Sequence, residues 1–286
     1  TQSQLEQLIL ATLQNDENTE ENFEILYNFV IEHKILQNKK DLLLMLKCLI
    51  SISNNHQRSK VFFHRIEKIF LILKKEMKES FHNTELFNLF KCNKRIILFL
   101  IREKILIPND IISQFIILEQ NPFQDYYSYF TFDQEDENQQ IIFDEKRFLG
   151  ENDSSICEII RNDLINEFLI FIQQDSESLN QIPHSIFETN SFLLNKTPTL
   201  IEYSAFCGSF NIFQYLACDD ARLTPSIWIY AIHSRCKEII HFLEEKQIQP
   251  ESYEKCFVEA IKCHHNELAL YFMQFIDIKK DPYISI

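Results

Sequence analysis

His264-His265-x-Glu267, with Cys256 and Cys263 a short distance upstream, is the densest group of metal-ligand side chains in the chain. Imidazole, thiolate and carboxylate are the groups that hold zinc, but such sites are written as HExxH or as closely paired cysteines, and neither spacing occurs. The eight cysteines contain no CxxC pair. Asp133, Glu135, Glu137 and Asp144 mimic some offsets of a calcium loop, yet the sixth-position glycine is missing and the twelfth residue is Asp rather than Glu. Phosphate chemistry is excluded more firmly. The chain has only 2 glycines, Gly150 and Gly208, so no P-loop, dinucleotide fingerprint, nucleophile elbow or kinase glycine loop can be written. No nucleophile and base are paired by a recognisable motif. These residues are expected to form no active site, to hold no metal and to need no cofactor; the histidines at 264 and 265 fall at a turn, where they can serve exposed backbone carbonyls.

The elements that would position any such group must be helical. Tight β-hairpins rely on residues with positive φ, usually glycine, and an all-β fold cannot be assembled from so few. The same shortage, with Ile, Asn, Lys and Phe in excess, matches the bias of an AT-rich coding genome. Of the 286 residues 45% are hydrophobic and 13% aromatic, enough for one large or two ordinary cores. The longest apolar runs, such as Ile96 to Ile101, are far short of a membrane span. Free cysteines on apolar helix faces suit a reducing, cytoplasmic compartment. The net charge of −14 is segregated: residues 58–104 carry +7 and residues 105–190 carry −14. A basic face can meet phosphate or an acidic protein surface. The overall acidity and the lack of a nucleic-acid motif argue against a nucleic-acid partner, which leaves a solvated helix face as the simpler reading.

Helical periodicity runs from Asn22 onward. Phe23 to Ile31, Leu42 to Ile52, Val61 to Leu73, Thr84 to Phe90, Lys94 to Glu103 and Ile111 to Leu118 each place apolar residues on one face. Residues 1–120 are therefore expected to form an N-terminal helical domain. The period breaks at 121–140, NPFQDYYSYFTFDQEDENQQ, and residues 121–150 read as an acidic, aromatic linker or insertion. Tyr126, Tyr127 and Phe130 are its candidates for contact with a partner protein.

Residues 151–286 contain an internal repeat. TPTLIEYSAFCGSFNIFQYL from 197 aligns with TPSIWIYAIHSRCKEIIHFL from 224 at an offset of 27, and a third copy follows at an offset of 29. Thr197 and Thr224 are placed to cap first helices, with Pro198 and Pro225 at the first helical position. Each copy reads as a helix-turn-helix hairpin whose apolar face only the next hairpin can bury, which predicts a stacked solenoid. Lys94 to Pro108 echoes Lys237 to Pro250, and Glu167 to Ile172 is a fainter copy. Thr199-Leu-Ile-Glu-Tyr-Ser-Ala205-Phe-Cys-Gly208-Ser resembles the ankyrin-repeat consensus T-P-L-H-x-A-A-x-x-G-H. The wider wording resembles an expanded group of protist ankyrin proteins in which a helical domain precedes degenerate repeats. The resemblance implies an all-α helical-hairpin solenoid behind an N-terminal helical domain, and noncatalytic protein binding as a scaffold. Shortened repeats shift the expected contacts from finger tips to helices, at Phe206, His233 and Trp228. The alternatives are a structural subunit of a larger cytoskeletal or microtubule-type assembly and, further off, a cryptic metal-dependent hydrolase.

Overall fold

The computed structural model describes residues 2–14, 19–55, 60–107, 137–174, 180–194, 196–218 and 223–276. Among them the regular structure is all-α, with sixteen α-helices, one short 3-10 turn and a single isolated β-bridge between Gln181 and Thr199. The chain divides into two compact units, one of residues 1–54, 58–151 and 186–195, the other of 55–57, 152–185 and 196–286. The expected helix at 111–118, and Tyr126, Tyr127 and Phe130, lie outside the described residues. Residues 137–140, expected to end the irregular stretch, instead belong to a helix.

The first unit holds α1 (Gln2–Gln14), α2 (Thr19–Glu32), α3 (Lys39–Asn55), α4 (Lys60–Ile72), α5 (Lys74–Ser80), α6 (Asn83–Phe90), α7 (Lys94–Arg102) and α8 (Glu137–Leu149). Helices α1 to α7 share one apolar core from Leu5 to Leu106, in which Phe70 meets Phe90 edge-on at 5.4 Å and Phe99 at 6.3 Å. Asn93 is the hinge pin of α7. Its side-chain Oδ1 accepts from Ile96 N–H at 3.0 Å as an N-cap, and its Nδ2 donates to Asn54 Oδ1 at 2.7 Å at the end of α3.

Part of the basic block proves to be interior. Lys94 is fully buried and Arg65 and Arg95 nearly so. Each donates to backbone carbonyls: Arg65 to Leu13 in the last turn of α1 at 2.9 Å, Arg95 to Phe148 and to Leu149 at 2.8 Å in the last turn of α8, and Lys94 to Ile186 at 3.3 Å. A helix C-terminus exposes unpaired carbonyls at the negative end of its dipole, so a guanidinium there answers both hydrogen bonding and charge. Gly150 ends α8 at φ 66°, and Thr189 donates its hydroxyl to Gly150 O at 2.7 Å. A Cβ at Gly150 would meet Thr189 Oγ1 at 2.8 Å, which leaves room only for glycine.

Among the described residues the second unit is a series of four hairpins: α9 (Ser155–Arg161) with α10 (Ile165–Gln174), α11 (Leu200–Cys207) with α12 (Phe210–Leu216), α13 (Ile227–Ser234) with α14 (Lys237–Glu245), and α15 (Tyr253–Lys262) with α16 (Asn266–Met273). First helices contact first helices in the order α9, α11, α13, α15, and second helices α10, α12 and α14 do likewise. Aromatic rings join the second helices, Phe168 to Tyr215 at 6.1 Å and Phe213 to Phe242 at 5.4 Å. Every hairpin turns through one left-handed residue, Asp163 (φ 50°), Gly208 (77°), Arg235 (57°) and His264 (55°). In three of them the next N–H closes the turn: Leu164 donates to Ile159 O, Ser209 to Ser204 O and His265 to Ala260 O.

The caps differ from the expected ones. Thr199, not Thr197, begins α11, in a reciprocal capping box with Glu202, and Ser226 rather than Thr224 precedes α13. Pro198 O accepts from Ile182 N–H at 3.0 Å and Leu200 N–H donates to Asn180 O at 3.2 Å, so a partner strand of backbone holds 197–199 extended and postpones the helix.

Candidate functional site

Two successive first helices bring together three groups of metal-ligand and nucleophile type. His233 comes from α13, and Glu259 and Cys263 lie four apart at the end of α15, one turn of the same face. His233 Nε2 lies 2.9 Å from Glu259 Oε1, and Cys263 Sγ 3.5 Å from His233 Nδ1. The network assigns the protons: Nε2–H donates to the carboxylate and the thiol donates to Nδ1. Lys262 adds a contact to Glu259 Oε2 at 3.2 Å, and the Phe206 ring lies 5.3 Å from the imidazole.

Burial governs the charges. It pushes the Cys263 thiol up to about 12, with the Glu259 carboxylate adding to the shift. It pulls His233 below the usual imidazole range against the opposing pull of Glu259. Burial would raise Glu259 as well, but the hydrogen bond and charge of His233 and of Lys262 overcome it and hold the carboxyl at about 2. A thiol that stays protonated and is 1% exposed is a poor nucleophile, because the thiolate is the reactive form. The order Cys, His, carboxylate has the connectivity of a nucleophilic triad without its electrostatics. As a metal centre the group has a second difficulty: carboxylate and thiol sit on opposite ring nitrogens, and one ion bound to one nitrogen cannot take both without moving Glu259.

The register of the hairpins explains the arrangement. His233 stands two residues before its left-handed turn and Glu259 five before the next. Arg161 and Tyr203 occupy the same two positions two hairpins earlier, and there Arg161 Nη1 donates to the Tyr203 hydroxyl at 3.0 Å. The cluster is a polar rung between adjacent hairpins. Turn residues make similar links. Asp163 accepts from the backbone N–H groups of Asn211 at 3.1 Å and Ile212 at 3.0 Å at the start of α12, where negative charge suits the helix dipole. Arg235 donates to Cys263 O at 2.7 Å and His264 O at 3.3 Å at the end of α15, where positive charge does.

The sequence-derived candidates separate. Of the C-terminal cluster only Cys263 enters the rung; Cys256 is buried elsewhere on α15, His264 is the left-handed turn residue, His265 stands before α16 and Glu267 is exposed on its first turn. The carbonyls expected to engage a histidine are taken by Arg235. Trp228 is 3% exposed, donates its indole N–H to Ile248 O at 2.7 Å and meets Phe272 edge-on at 5.7 Å, so its surface is used within the unit. His233 is buried in the rung. Phe206 is half-buried between Tyr203 and His233 and alone among these three keeps accessible surface. Glu259 escaped sequence reasoning, although its place five residues before the His264 turn, in register with Tyr203 and Tyr230, marked it as an inward position.

No family model, curated protein or solved structure matches the chain. No helix among the described residues is long and apolar enough to cross a membrane.

Proposed function

We propose that the chain is a noncatalytic protein-interaction module, a scaffold built on a degenerate ankyrin-like solenoid. The observation that carries this reading is the repeated left-handed turn at residues 163, 208, 235 and 264 with first helix on first helix throughout. Such a series keeps the helices in parallel rows and offers side chains at fixed spacing to a partner, the property that solenoids use for recognition. The Thr199 cap and the left-handed Gly208 turn at the two ends of α11 support the reading. The rung at His233 supports a structural rather than a catalytic use of its most reactive groups. Contact with a partner then falls to the exposed edge of Phe206 and to the outward apolar residues Val258 and Ile261 of α15.

Crosslinking mass spectrometry on native material tests the proposal. A small, reproducible set of neighbours attached through Lys237, Lys246, Lys255 and Lys262 is the expected result. Neighbours that vary at random between preparations overturn it. Retention in the insoluble skeleton after detergent and salt extraction would favour the fixed-subunit alternative instead.

A further inference from the structure

We infer that the hairpin series stacks head to tail on a second copy of this chain, α9 of one molecule covering the outer face of α15 of the other. The inference rests on the partner-binding reading, from which it takes the hairpin register and the outward residues Val258 and Ile261, and it names the partner. Every residue it uses belongs to the second unit. Three residues before the left-handed turn stand Ile160, Ala205, Ile232 and Ile261. The first three are fully buried, each in a first helix that has the next first helix against it, whereas Ile261 is 49% exposed. Val258, six before its turn, is 46% exposed where Cys157 of α9 is fully buried. The outer face of α15 is a stacking face without its neighbour. At the other end of the series the converse holds. Eight residues before the turn Leu200, Ile227 and Cys256 are buried, and five before it Tyr203 and Tyr230 are buried. In α9 those two positions are Ser155 and Glu158, both exposed. Hairpin repeats bury these faces only against each other, so the two ends of the series present the two halves of one repeat interface.

Charge fixes the pairing. Within the unit, the residue two before one turn meets the residue five before the next: Arg161 with Tyr203 at 3.0 Å and His233 with Glu259 at 2.9 Å. Adding one more hairpin at the same register sets Lys262, two before the last turn, against Glu158 of a second copy. The Lys262 side chain lies 3.2 Å from Glu259 and stays 53% exposed, and an ammonium has donors for both carboxylates. The other charges of α15 do not oppose this pair. Lys255 lies 3.9 Å from Glu251, and Glu254 accepts from Ser252 Oγ at 2.7 Å. Glu254 stands about 12 Å up the helix from Lys262, beyond the screening distance in physiological salt. On α9 Arg161 is turned to Tyr203, and half-buried Ile159 beside Glu158 brings an apolar side chain to meet Val258 and Ile261. The contact joins two unlike faces, so it does not close at a dimer and adds copies in a row.

Sedimentation velocity of the full chain over a concentration series tests the inference. A sedimentation coefficient that rises with concentration past the value for two copies is expected. Ile261→Asp should leave the chain monomeric, and Glu158→Lys and Lys262→Glu should each weaken association about tenfold. Mixed in equal amounts, the last two variants should associate again, because every contact between unlike chains then joins opposite charges. Circular dichroism melts check that all three variants stay folded. A wild type that stays monomeric overturns the inference. So does a dimer that stops at two copies and ignores Glu158→Lys, since α15 would then pair with itself. The partner-binding reading fails separately: a monomer that still crosslinks to a reproducible set of other proteins removes the second copy and keeps that reading, whereas self-association with random foreign neighbours does the reverse.

Discussion

The two units handle buried charge in opposite ways. In the first, Arg65 and Arg95 reach across long stretches of chain to helix ends, and Arg95 also lies 3.8 Å from the Phe63 ring and 3.9 Å from Glu67. Burial raises the Glu67 carboxyl even though Arg95 lowers it, so the ion pair is one part of a wider arrangement of ring, carbonyl and carboxylate. In the second, polar contacts join the first hairpin to the second and the third to the fourth at the same register: Arg161 to Tyr203, Asp163 to α12, His233 to Glu259, Arg235 to the end of α15. A shared core tolerates distant partners because many helices meet there. A series of hairpins offers each side chain only its neighbour, so polar contacts recur at matching positions of the hairpin.

Paired core truncations break this comparison most severely. Phe70→Ala and Phe213→Ala each remove a fully buried ring and should cost about 3–5 kcal/mol. Hydrogen exchange should show protection falling throughout α3, α4, α6 and α7 for the first, but confined to α11 to α14 for the second. Equal spread in both would mean that the second unit is not organised by neighbour contacts. The glycines come next. Gly150→Ala combines a left-handed φ with collision against Thr189 and should cost about 3 kcal/mol by urea titration. Gly208→Ala, whose Cβ would find Ser234 Cβ at an ordinary 3.4 Å, should cost only the conformational penalty of about 1–2 kcal/mol.

Acid should act on the hairpin rung. Burial holds His233 below the ordinary imidazole value of 6.5, so the unfolded chain takes up a proton first and stability falls as pH drops through 6.5. Glu259, at about 2 in the fold against 4.5 when unfolded, adds a second loss as pH falls from 4.5 toward 2. The urea midpoint of the wild type should therefore decline between pH 7.5 and 5.5, and His233→Gln should flatten that slope. His265, also depressed chiefly by burial, supplies the remainder. An unchanged slope in the variant would remove His233 from the account. The smallest effect is a gain: His264→Gly relieves a left-handed residue and should stabilise by about 1 kcal/mol in thermal melts. Arg235→Gly should not, because it forfeits the two carbonyl hydrogen bonds to the next hairpin.

Periodicity made most helices legible. The apolar faces of α2, α3, α4, α6 and α7 are written within single turns, and their ends fall within a few residues of the expected ones. Helix α1 was overlooked although Leu5, Ile9 and Leu13 recur every four residues, because glutamine and glutamate surround them. In α8 the signal is weak. Phe143 is buried while Ile141, Ile142 and Phe148 are exposed, so the apolar residues do not share a face. The internal repeat placed the turns, and Gly208 with Arg235 was legible as an equivalent pair. Between His264 and His265 the repeat left the third turn open, and backbone φ selects His264. Asp163 as a further turn residue was hidden by its offset of 45 from Gly208, far from the 27 to 29 of the repeat.

By itself the sequence determined the helical class, the hairpin period and the lack of glycine-rich phosphate-loop motifs, because each depends on residues within one or two turns of each other. Only the tertiary structure decided which charges are interior and which chemistry survives. Arg95 looks like part of a solvated basic face until the carbonyls of α8 arrive 53 and 54 residues later in the chain. Cys263 stands far in sequence from His233 until the fold sets the two 3.5 Å apart, where burial pushes the thiol up to about 12. Desolvation and the supply of hydrogen-bond partners are set by groups distant in sequence, and those two quantities separate a reactive residue from a structural one.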